Sequence, residues 1–132
     1  MLARIVASVF LVLHGLVHLL YFAQSARFFE LKPGMIWPAG SWALSRILGD
    51  DGTRILASGL YVFVAAGFIV GAAGLLSSQA WWGAPVVASA VVSALLFLVY
   101  WNGQLQNIDG QGAVGLVLDA IILITILVFR WP

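Results

Sequence analysis

The chain has 132 residues, of which 63% are apolar and 8% charged, with a formal net charge of +1 and no cysteine. Its mean hydropathy of +1.07 is far from that of soluble domains, in which about 25% of residues are charged. These values leave no room for a soluble catalytic domain and predict no nucleic-acid partner. They also exclude disulfides, thiolate nucleophiles and cysteine-held metals.

Four apolar runs, at about residues 3–23, 54–76, 84–101 and 113–130, each approach the roughly 17–25 residues that cross a hydrocarbon core about 30 Å thick. None alternates as barrel strands do, and backbone amides in lipid must be satisfied within a segment. The expected fold is an all-α bundle of four transmembrane helices forming a single integral membrane domain, with the lipid bilayer as its first partner.

The first run carries Arg4 and ends near "AQSA" at residues 23–26, which together resemble a secretory signal. The run is about twice the 7–15 residues of a signal core and contains His14 and His18. It is therefore expected to remain as the first spanning helix. On a helix two residues four apart share a face, about 6 Å from one another.

The long connection that follows, residues 24–53, holds most of the charged residues, Glu30 among them, and the indoles Trp37 and Trp42. Ser41 is placed to cap a short helix reaching Leu48, with Gly49 as its stop. Trp42, Leu44, Ile47 and Leu48 against Ser45 and Arg46 suit a segment on the membrane surface. Asp50, Asp51 and Thr53 then stand where they can cap the second spanning helix.

That helix opens with Arg54, Ser58 and Tyr61 and continues into "GFIVGAAG", where Gly67 and Gly71 form a small-xxx-small pair. The third helix has Pro85 in its first turn, which suits a residue without an amide hydrogen, and pairs Ser89 with Ser93 and Ala90 with Ala94. Small faces let helices approach closely in lipid; they serve the bundle itself or, alternatively, a homodimer or larger membrane complex. Trp81, Trp82, Tyr100 and Trp101 fit an interfacial aromatic belt, and Asn102 follows them.

The fourth helix carries Asp119. With four crossings both termini share one side, and the long first and third connections share the other. Arg4 and Arg130 stand against Arg27, Lys32, Arg46 and Arg54, so the positive-inside rule favours a cytoplasmic long loop by a thin margin.

Chain direction reverses between the first and fourth helices, which brings His18 and Asp119 to similar depth near the loop side. A carboxylate at a helix centre in lipid costs roughly 2.5–3.5 kcal/mol on insertion scales and less near the interface. Such groups face a bundle interior or a wet cavity. The sequence therefore predicts a polar pocket built on His14, His18 and Asp119 as catalytic residues. Arg54, Ser58, Tyr61, Tyr100, Asn102 and Glu30 would bind the substrate, with Trp37 and Trp42 available as covers. Plainer uses are an interhelical staple, with Arg54 as partner of Asp119, and simple hydrogen bonds from the histidines to neighbouring helices.

The expected chemistry is acid–base work on a small lipophilic molecule, of isomerase, cyclase or hydrolase type, in which an imidazole moves a proton and Asp119 orients it. It needs no cofactor. A second reading uses His14, His18 and Asp119 as ligands of a divalent transition metal, although "HGLVH" lacks the glutamate that zinc proteases place after the first histidine. A third is a non-catalytic accessory subunit.

The element "HGLVHLL" at residues 14–20, the Arg-started "RILASGLYVFVAAGF", the "WW" before helix three and the Trp at its end resemble a group of small bacterial four-helix membrane proteins. Members begin with an "HGLxHL" first helix and are often labelled permease-like. The resemblance implies a four-helix fold in the bacterial inner membrane and carries no activity with it.

Overall fold

The structure is a computed structural model and describes residues 1–31, 33–34, 37–103 and 112–131. Among them are four helices and no strands: α1 (Leu2–Ser25), α2 (Ser45–Leu76), α3 (Gly83–Tyr100) and α4 (Ala113–Leu127). The first three are long and apolar enough to cross a membrane, and α4 is a shorter apolar helix.

Contacts near the helix ends set the topology. Arg4 near the start of α1 donates to Ser78 just past α2, and Ser25 at the end of α1 meets Ser58 near the start of the long part of α2. Tyr100, ending α3, donates to the carbonyl of Thr53 at 2.7 Å. Gly83 at the start of α3 lies beside Ile126, and Gly112 before α4 beside Phe97. Each helix thus runs antiparallel to the one before it. α1 packs on α2, α2 on α3 and α3 on α4.

The expected starts and ends shift in three places. α2 begins at Ser45 and not at Arg54, because a turn of helix is joined to the long apolar part across Gly49. Gly49 has φ 70°, a left-handed conformation that glycine adopts at little cost, and it kinks the chain there. The short helix starts at Ser45 and not just after Ser41, because residues 42–44 form a turn whose Ala43 and Leu44 amides donate to Ser41 Oγ. α4 stops at Leu127, three residues early. There the Phe129 and Trp131 amides reach back to the carbonyls of Ile124 and Thr125, and Trp131 packs against the core.

Ser41 and Trp42 also clasp α3, donating to the carbonyls of Val99 and Leu98 at 2.6 and 3.0 Å. These belong to the last turn, where helical carbonyls lack intrahelical partners. The expected caps of α2 behave differently. Thr53 is fully buried with no hydrogen-bond partner for its hydroxyl among the described residues, and Asp51 lies 3.4 Å from Arg54.

The core follows α2. Ala57, Tyr61, Val64, Phe68, Ala72 and Leu75 recur at helical spacing and are all buried, meeting Leu11, Val86, Ala90, Leu96, Tyr100 and Ile122. Gly67 and Gly71 bring α2 and α3 together: a Cβ added to Gly67 would collide with Ser89 Oγ, and one added to Gly71 with Val86. The small-residue face therefore works inside the bundle. Polarity is inverted relative to a soluble helix: on α1, Leu13, Leu16, Val17 and Leu20 are exposed while Ser8, His14, His18 and Ser25 are buried. That pattern suits a hydrocarbon surrounding.

Candidate functional site: a buried histidine–aspartate centre

The buried face of α1 displays His14, His18 and Tyr21 at i, i+4 and i+7, the spacing that aligns side chains along one side of a helix. α1 can come close to α2 here because Gly15 sits against Phe68 and Ala65, where a Cβ would be 3.1 Å from Phe68 Cβ. The imidazole of His14 is stacked on Phe10 and meets Phe68 edge-on, with ring centroids 5.9 and 4.8 Å away.

His14 Nε2 lies 2.9 Å from Asp119 Oδ1, and both side chains are withdrawn from the surface. Asp119 is 0% exposed, and its second oxygen, Oδ2, is buried without a partner among the described residues. His18 is held twice. Its Nδ1 donates to the His14 carbonyl at 2.9 Å, and since a carbonyl only accepts, Nδ1 carries the hydrogen. Nε2 of the neutral ring then accepts from the Ser93 hydroxyl at 2.8 Å.

The depth argument from sequence is met with one change of partner: α4 reaches α1, and the residue that touches Asp119 is His14, with His18 turned to α3. One turn of helix accounts for the exchange. Nor is Arg54 the partner of Asp119. It donates to the carbonyl of Ser25 at 3.0 Å and reaches Asp51, so it fastens the end of α1 to the start of α2. Ser58 joins that fastening through Ser25 at 2.7 Å.

Of the other expected pocket residues, Tyr61 lies beside His18, with ring centroids 6.1 Å apart. Tyr100 is turned to the Thr53 carbonyl. Asn102 is exposed, and Glu30 is exposed and accepts from the Gly34 amide. Trp37 is a cover, packed edge-on against Tyr21 at 5.0 Å and on Tyr61 at 6.1 Å. Trp42 is 71% exposed on the outside of α3.

Ser93, Tyr21, Phe10 and Phe68 complete the surroundings. The serine reads in the sequence as a packing residue, one of a small pair with Ser89. Tyr21 had a usable signal, because it stands one turn beyond His18 on the same face.

Under Trp37 and Tyr61 there is a void of about 10 Å³ bordered by His18, Tyr21 and Ser93, close to the smallest space that holds one water. On the other side of the centre, a groove of about 170 Å³ between α1 and α4 is lined by Ala7, Phe10, Leu11, Ile121, Ile122 and Thr125. Phe10 is at once a wall of that groove and the ring stacked on His14. A larger groove between α1 and α2, about 330 Å³, is likewise almost wholly apolar, and none of the three ionisable residues lines either groove.

No family model, curated protein or solved structure matches the chain.

Proposed function

We propose that the chain is a multi-pass protein of the bacterial inner membrane whose four helices all span, and whose His14–Asp119 pair exchanges protons with a small lipophilic molecule. The observation that carries this reading is the 2.9 Å contact between a buried imidazole and a buried carboxylate beside a groove that shares Phe10 with it. A base held by a second group, within reach of a substrate path, is the arrangement general acid–base chemistry needs.

Four spans are supported by the outward apolar faces, and for α1 to α3 also by length. α4 is about 22 Å long at 1.5 Å per residue, and Phe129 and Trp131 beyond it suit the interfacial layer. Both termini then lie on one side of the membrane and Trp37 on the other.

The groove dictates the kind of substrate. Its volume is below the roughly 300–1,000 Å³ of sites that enclose a drug-sized ligand, so it admits a segment of a molecule whose remainder stays among the lipid tails. Such a substrate enters sideways between α1 and α4, and displacement of Phe10 exposes His14. A water-sized void lies beside His18 and Ser93, under Trp37.

The test is to purify the wild type, His14→Gln and Ile121→Trp in lipid nanodiscs and identify the lipophilic molecules that accompany each by mass spectrometry. The wild type and His14→Gln are expected to carry chemically related but different species, product and substrate, and Ile121→Trp neither. Identical profiles in all three, equal to those of empty nanodiscs, would contradict the proposal.

A further inference from the structure

We infer that His14, His18 and Asp119 bind one divalent first-row transition ion, zinc or iron(II) by donor chemistry. The inference rests on the reading of these three side chains as one functional centre; with the ion bound, His14 and Asp119 would serve as its ligands and would no longer exchange protons themselves.

Distance comes first. One donor atom from each residue can be chosen so that all three lie within 4.8 Å of one another. Bonds of about 2.0–2.2 Å in a tetrahedral centre place donors roughly 3.4 Å apart. The donors therefore have to approach by about 1.5 Å at most.

The donor set selects the ion. Two imidazoles and one carboxylate, with room for an outside ligand, form the set found at catalytic zinc and at non-haem iron(II). Calcium and magnesium call for six or more oxygen ligands, and one carboxylate does not provide them.

Two further observations point the same way. His18 donates Nδ1–H to the His14 carbonyl, which fixes the tautomer and leaves Nε2 with its lone pair, the orientation that backbone carbonyls impose on metal-bound imidazoles. Asp119 is fully buried with Oδ2 unpartnered among the described residues, while Arg54 is committed to Ser25 and Asp51. A buried carboxylate oxygen with that much unused capacity, beside two imidazoles, is a ready ligand for a metal ion. The hydrogen now between His14 and Asp119 gives way to the ion, and Ser93 is freed from His18 to bond whatever occupies the fourth position.

The experiment uses cobalt(II) alone as the probe, added to chelator-stripped protein in detergent and followed by visible absorption. The wild type is expected to take up one equivalent with the intense bands of a low-coordinate nitrogen–oxygen site, and stoichiometric zinc is expected to bleach them. Changes in the outer shell of metal sites cost about 10–100-fold in affinity, so His14→Gln, His18→Gln and Asp119→Asn should each weaken binding at least ~100-fold, and the exposed Asp50→Asn not at all. Folded wild type that develops no bands overturns the inference without reference to any variant, and so does uptake unchanged in Asp119→Asn. Failure here with distinct lipophiles still found in the nanodisc comparison leaves the acid–base reading standing. Cobalt binding with no lipophile difference does the reverse.

Discussion

The two seams that flank the bundle are built on opposite principles. Between α2 and α3, glycines bring the backbones so close that Gly67 and Gly71 have no space for a methyl group against Ser89 and Val86. Between α1 and α4 the polar contact of His14 with Asp119 bridges the helices, and a groove remains beside it. In lipid there is no hydrophobic drive to pull helices together, so close packing and interhelical hydrogen bonds are the available sources of cohesion. The first seam relies chiefly on packing, with a hydrogen bond from Tyr100 to the Thr53 carbonyl at one end, and leaves no cavity beside Gly67 and Gly71. The second uses a hydrogen bond and keeps both a cavity and an unpartnered carboxylate oxygen, the raw materials of a site.

The contrast can be broken most severely at the packed seam. Gly71→Leu forces a branched side chain into Val86 and the Trp82 carbonyl; overpacking commonly costs 1–3 kcal/mol and more against backbone. Loss of about 3 kcal/mol is expected in denaturant unfolding followed by circular dichroism in detergent. A variant as stable as the wild type would show that the seam is looser than described.

Two serines on α3 sharpen it. Ser93 donates to His18, and Ser93→Ala should cost about 0.6–1.7 kcal/mol, the range of interhelical hydrogen bonds in membranes. It should also shift the ¹⁵N resonance of His18 Nε2. Ser89, four residues earlier, is buried with no partner among the described residues. Removing an unsatisfied hydroxyl costs little or stabilises, so Ser89→Ala should lie within about 0.5 kcal/mol of wild type in the same unfolding experiment. Equal losses at the two positions would erase the distinction between glue and packing.

How much of this was legible beforehand depends on the kind of signal. Helix number followed from run lengths, and the small-residue face followed from Gly67 and Gly71, because sterics at a glycine are local. The meeting of α1 and α4 was legible as a depth coincidence, since rise per residue and chain reversal fix depth. Azimuth is not fixed in that way, and so Asp119 meets His14 and not His18. Arg54, Ser58 and Tyr100 read as pocket residues because they share the loop side with the histidines. Their partners proved to be backbone carbonyls and a serine at helix ends, which composition does not reveal. Trp37 and Trp42 looked equivalent in the sequence, yet one covers Tyr61 and the other caps the last turn of α3. The turn that separates them has no period from which its path could be read.

The central claim, that His14 and Asp119 act as one unit across the α1–α4 seam, is tested most directly by a double-mutant cycle. Unfolding free energies of the wild type, His14→Ala, Asp119→Ala and the double variant in lipid nanodiscs would give the coupling. The account predicts that the two losses fall short of additivity by about 1–2 kcal/mol, at the upper end of interhelical hydrogen bonds in membranes. Losses that add to within about 0.3 kcal/mol would mean that the two residues do not interact, and the centre would not exist as described.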